Sequence, residues 1–88
     1  QVAFREVSDA LVRRATLVEQ LDAQQALVNA LDESYRLADA RYKEGVDNYL
    51  GVLVSQRSLF DAQRGLVATR LARRANQIAL FKVLGGGV

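Results

Sequence analysis

Proline is absent from all 88 residues, and so are cysteine, histidine, methionine and tryptophan. With no proline, nothing in the chain both fixes φ and removes a backbone donor, so no helix need be broken on that account. The absence of cysteine and histidine excludes a disulfide framework, thiolate chemistry and any His/Cys metal site. It leaves the redox compartment open. Glycine is confined to Gly45, Gly51, Gly65 and the run Gly85-Gly86-Gly87. No stretch approaches the roughly 20 apolar residues that span a bilayer as a helix. What remains is half hydrophobic and a quarter charged, a globular rather than a disordered composition. Rich in Ala, Leu, Arg, Gln and Val, it favours helix throughout.

A chain of this length makes one small domain at most. It starts at Gln1 within an already helix-like pattern (Val2, Ala3, Phe4, Val7), so a piece of a longer protein is expected, and no signal peptide is recognisable. Charge is unevenly placed. Residues 1–44 carry six bases (Arg5, Arg13, Arg14, Arg36, Arg41, Lys43) against eight acids (Glu6, Asp9, Glu19, Asp22, Asp32, Glu33, Asp39, Glu44), net −2. Residues 45–88 carry six bases (Arg57, Arg64, Arg70, Arg73, Arg74, Lys82) against two acids (Asp47, Asp61), net +4. Opposite signs suit two segments folded back on one another, with exposed pairs contributing orientation more than stability.

Hydrophobic spacing then assigns the segments. Leu17, Leu21, Gln24, Val28, Leu31, Tyr35, Ala38 and Tyr42 follow in alternating steps of four and three, a coiled-coil seam interrupted once, by Gln24. Extended backwards, the register reads Ala3, Val7, Ala10 and the polar Arg14. A second column, Ala23, Leu27, Ala30, Ser34 and Leu37, repeats the spacing on a neighbouring face. The second segment is doubled in the same way: Val52, Leu59 and Leu66 beside Leu53, Phe60 and Val67, with Leu71 and Ile78 continuing after a shift. A sevenfold repeat implies left-handed supercoiling, and two columns per helix imply neighbours on two sides. Between the segments, Gly45 suits the left-handed position past a helix C-terminus, Arg41 and Lys43 favour the preceding dipole end, and Asp47 or Asn48 can cap the next helix. The reading is all-α: helix over about 1–43, turn at 44–48, helix over about 49–84 and a glycine-rich end at 85–88. At about 1.5 Å rise per residue the two helices would be roughly 65 and 54 Å long. Gly51 and Gly65, each costing about 1 kcal/mol within a helix, are expected to mark close helix approach.

Chemistry has little to work with. Without His or Cys, catalysis would need carboxylates, Lys, Ser or Tyr converging in a concave pocket, which a two-helix hairpin does not offer. No catalytic residue, metal site or cofactor is assigned, and the chain is not expected to be an enzyme. The basic cluster Arg70, Arg73 and Arg74, with Arg13 and Arg14, reads more simply as a solvated face than as a nucleic-acid or lipid surface.

Four stretches carry a resemblance. Leu37-Ala38-Asp39-Ala40-Arg41-Tyr42-Lys43-Glu44-Gly45-Val46-Asp47-Asn48-Tyr49-Leu50 runs on into Val52-Leu53-Val54-Ser55-Gln56-Arg57-Ser58-Leu59-Phe60-Asp61-Ala62-Gln63. Together with Phe4-Arg5-Glu6-Val7-Ser8-Asp9-Ala10-Leu11 and the closing Leu84-Gly85-Gly86-Gly87, these resemble the TolC-like outer-membrane channel family of efflux pumps and type I secretion systems, its multidrug-pump lipoprotein branch above all. The resemblance implies a trimer with a β-barrel in the outer membrane of a Gram-negative bacterium and a long α-helical barrel in the periplasm. This chain would be the C-terminal long antiparallel coiled-coil hairpin of that trimeric α-barrel, meeting the membrane only through the absent β-barrel. Its tip, Glu44, Gly45, Val46, Asp47 and Asn48, would meet the periplasmic adaptor (membrane fusion) protein, linking the channel to an inner-membrane pump, with no nucleic acid involved. Tyr42, Leu50, Val54 and Arg57 would belong to the gate and constriction. Tyr42 would either bond to a neighbouring hairpin or sit in the seam with its hydroxyl in water, and Arg57 would either line the constriction or be solvated. Two departures stand out: Val54 occupies a place where many relatives have an acidic residue, and Val88 one where relatives often have tryptophan. The competing reading is a generic coiled-coil hairpin, an interaction module with no channel role.

Overall fold

The computed structural model describes residues 2–86, with side chains described for 4–85. Gln1, Gly87 and Val88, and the seam's extension to the side chain of Ala3, fall outside that range. Helix α1 runs Val2–Lys43 and helix α2 runs Tyr49–Phe81, antiparallel, with every tertiary contact made along their shared length or at its end. The α-geometry of α2 passes at Lys82–Gly86 into a wider π-type turn, in which Gly85 takes φ 106°. The molecule measures 65 × 17 × 13 Å, a rod two helices wide and one thick. No strand occurs among the described residues.

The buried line is the one that the four-three spacing selects. On α1, Leu17 is buried, while Leu21, Gln24, Val28, Leu31, Tyr35 and Ala38 are half-buried. On α2, Val52, Leu59 and Leu66 are buried, then Thr69, Asn76 and Leu80. Sevenfold steps keep this line facing its partner only if the helices wind gently about each other. Each fully buried leucine or valine contributes about 1.5–3 kcal/mol, and the hairpin has few of them. The second columns face solvent: Leu27, Leu37, Leu53, Phe60, Val67, Leu71 and Ile78 are all at least 45 % exposed. A rod of this shape cannot cover more than one column per helix with its own partner.

The seam changes character along its length. Towards the turn its buried residues, Val52 and Leu59, are apolar, with Tyr35, Ser55, Gln56 and Ser58 half-buried beside them. Towards the other end it takes in Gln24, Thr69 and Asn76. Asn76, 5 % exposed, donates from Nδ2 to the Ala10 carbonyl at 3.1 Å across the helices. Its Oδ1 and the Gln24 Oε1 are buried without a partner. Polar groups of this kind fix register at some cost in stability.

Two expectations are corrected here. Close helix approach does not explain Gly51, since a Cβ built there meets nothing within 4 Å. At Gly65 it would meet only the Gln24 Nε2 at 3.7 Å, an ordinary contact, so Gly65 gives the Gln24 side chain room without being sterically required. The charge asymmetry also does not work through ion pairs between the helices. The pairs found among the described residues are Arg36–Asp32 and Lys43–Asp39 within α1, Arg64–Asp61 within α2, and Arg41–Asp47 across the turn. Three and four residues apart is where a helix places neighbours, so local partners win over distant ones. Among the described residues, charge-bearing contact between the helices is limited to Arg70 Nη2, which donates to Gln25 Oε1 at 3.3 Å.

Candidate functional site: the turn and the outer face of the second helix

The turn is built by backbone bonds that use up the last carbonyls of α1. The Gly45 N–H donates to the Tyr42 carbonyl at 3.0 Å, and the Val46 N–H reaches back to the Arg41 carbonyl at 2.9 Å. This pair of bonds ends a helix when the residue between takes the left-handed conformation, and Gly45 does so at φ 78°. It is the one position in the turn where a side chain would be strained, because no non-glycine residue among those described has positive φ. Arg41 Nε donates to Asp47 Oδ2 across the turn, and that bond, followed by the charge of Asp47, raises the Arg41 pKa above its ordinary value. Lys43 is raised similarly by its hydrogen bond to Asp39 and then by its charge. Stabilisation of this sign is present while the base is protonated and is lost only as pH rises through the raised pKa. Both pairs are therefore intact near neutrality.

Asn48 occupies the N-cap position of α2 with extended backbone, φ −84° and ψ 171°, but its side chain makes no capping bond. Asp47, the other capping candidate, is engaged by Arg41. The rings of Tyr42 and Tyr49 meet edge to face across the turn, centroids 5.0 Å apart. That contact ties the last turn of α1 to the first of α2 and supplies about 0.5–1.5 kcal/mol beyond area burial. Tyr42 is half in solvent, with its ring against Tyr49. The tip is thus stiff in backbone while its side chains are open: Glu44, Val46, Asp47 and Asn48 are all exposed.

Leu50, Val54 and Arg57 lie in steps of four and three on the face of α2 turned away from buried Val52 and Leu59, and all three are exposed. Asp61 shares this face, a place beside Arg57 that the sequence reading did not give it. It lies four residues past Arg57, within reach of it on a helix, but pairs with Arg64 instead. The i, i+4 spacing could have identified it. Arg57 is left without an ion-pair partner among the described residues. Beside this face an open groove runs between Leu53, Phe60 and Val67 and the flanking Arg57 and Arg64. The exposed aromatic and aliphatic column forms its floor. Among the described residues there is no cluster of acids that could hold a metal, and no helix is long and apolar enough to cross a membrane.

The sequence is similar to those of known proteins over nearly its whole length. A probable efflux pump outer membrane protein, SepC, and a toluene efflux pump outer membrane protein, TtgF, both of Pseudomonas putida, are each 53 % identical to it over 87 residues, covering 99 % of this chain. The cation efflux system protein CusC of Escherichia coli is 42 % identical over the same length. The chain spans only 18–19 % of the length of these relatives. Residues 1–86 match the family described as outer membrane efflux protein, and the chain belongs to that family.

Proposed function

We propose that the hairpin is a wall segment of the periplasmic α-helical barrel in a trimeric outer-membrane efflux channel. In this reading it docks the periplasmic adaptor at its tip and contributes to the gate. The observation that carries it is the pair of exposed apolar columns, one on each helix, running beside a buried seam along a 65 Å rod. Such a rod buries too little by itself and gains most when flanked by further helices. Family membership supports an efflux channel component and sets aside the generic coiled-coil module.

Roles follow from position. Glu44, Gly45, Val46, Asp47 and Asn48 present the adaptor with a fixed backbone shape and open side chains. Tyr42, Leu50, Val54 and Arg57 face the channel axis near that end. Wall-building falls to Leu27, Leu37, Leu53, Phe60 and Val67. The adaptor links the assembly to the inner-membrane pump, and a β-barrel elsewhere in the full protein holds it in the outer membrane. The work is mechanical and electrostatic and involves no bond-making.

Isolated from the remaining helices, the 88-residue chain should hide its outer columns by self-association. Sedimentation at tens of micromolar is expected to show trimers or larger species, with dissociation accompanied by loss of helix. A well-folded monomer at high concentration would contradict the wall-segment reading.

A further inference from the structure

The half of the hairpin remote from the turn combines a polar seam with unbalanced charge. Two contacts between the helices bracket the stretch: Arg70 to Gln25 at 3.3 Å, and Asn76 to the Ala10 carbonyl at 3.1 Å. Between them α1 supplies Arg13 and Arg14, and α2 supplies Arg70, Arg73 and Arg74. The acids of the same stretch are Glu19 and Asp22, giving it a net charge of +3. None of the five arginines has a carboxylate within 4 Å among the described residues, whereas Arg36, Arg41 and Arg64 each do. Arg70, Arg73 and Arg74 line a recess with Gln77. On the seam side of the same helix stretch is the Asn76 amide, 5 % exposed, one atom bonded to α1 and the other without a partner.

These observations bear on one another. Like charges on both helices push the seam apart where a half-satisfied amide lies between the buried Leu17 and Leu80. The turn end, with its backbone bonds, tyrosine pair and Val52, Leu59 and Leu66, has no such weakness. We propose that the remote half is an anion-responsive clasp. A multivalent oxyanion, phosphate- or carboxylate-bearing, binds the Arg70–Arg73–Arg74–Gln77 recess, draws in the arginines of α1, and closes the half of the seam that otherwise opens locally. Arginine suits the ligand because its planar fork pairs with two oxyanion oxygens at once.

Hydrogen exchange on the full-length channel, read by peptide, tests this with inorganic pyrophosphate as the probe and sodium chloride at matched ionic strength as the control. Pyrophosphate at millimolar concentration is expected to slow exchange over residues 7–21 and 69–81 about tenfold or more relative to the control. Exchange over 28–43 and 52–62 should be unchanged. The R70Q/R73Q/R74Q variant should lose the response. Asn76→Leu should slow exchange in the same half with no anion present, because it removes the unpaired buried oxygen. Equal slowing by sodium chloride would mean that the arginines are merely a screened, solvated face, and would overturn the proposal. A response that persists in the triple variant, or no response in the parent channel, would overturn it too.

Discussion

Replacing Gly45 by valine is expected to abolish export through the full-length channel while leaving its trimer assembled. Gly45 holds φ 78°, and a Cβ added there meets nothing within 4 Å. The penalty is thus purely one of backbone conformation. Left-handed geometry costs an L-residue about 1–2 kcal/mol, more when the side chain is branched at Cβ. Valine relieves that strain by turning the residue out of the left-handed region. The bonds from Gly45 and Val46 to the Tyr42 and Arg41 carbonyls then break, and the tip changes shape. The seam from Val52 to Leu80 lies beyond the turn and keeps its burial. Asparagine, which tolerates φ > 0, should be nearly silent at this position, and alanine intermediate. Efflux assays alongside chemical cross-linking of the trimer check the series. Normal efflux in the valine variant would remove the turn from the mechanism.

The second large effect is expected from Val54→Asp. Leu50, Val54 and Arg57 share the exposed face of α2, and Arg57 has no carboxylate partner among the described residues. If three copies meet around an axis, three guanidinium groups approach one another where low-dielectric walls focus the field. Asp61, the nearest carboxylate on that face, is held by Arg64 and does not neutralise them. An aspartate at 54 lies three residues from Arg57, within helical reach, and adds a ring of negative charge. Planar-bilayer recordings of the reconstituted channel should show higher cation selectivity and block by divalent cations, both weakening as salt rises. Selectivity and block identical to the parent's would show that position 54 does not face the pore.

The hairpin was legible because its signals are local and repeat. The four-three run from Leu17 to Ala38 is the line that the structure half-buries or buries, and Gly45 takes the left-handed backbone that a glycine past a helix end suggests. The doubling of columns was legible too, though which column of α2 turns inwards was not. Leu53 and Val52 are adjacent and similar, and only the partner helix distinguishes them. Thr69 and Asn76 escaped notice because hydrophobic spacing cannot register a polar side chain that fills an apolar position. The charge asymmetry suggested ion pairs between the helices, yet partners three or four residues away on the same helix were nearer. Gly51 remains without a neighbour inside the hairpin, and nothing in the structure explains it.

Cysteine cross-linking in the full-length channel, in cells with its adaptor present, tests the central claim most directly. Single cysteines are placed at Val46 on the tip and at Leu27 and Leu53 on the outer columns, all exposed in the hairpin. The wall-segment reading predicts that a short bifunctional reagent joins position 46 to the adaptor, and joins positions 27 and 53 to other helices of the channel. Position 46 failing to capture the adaptor, with positions 27 and 53 reactive towards solvent and joined to nothing, would contradict it.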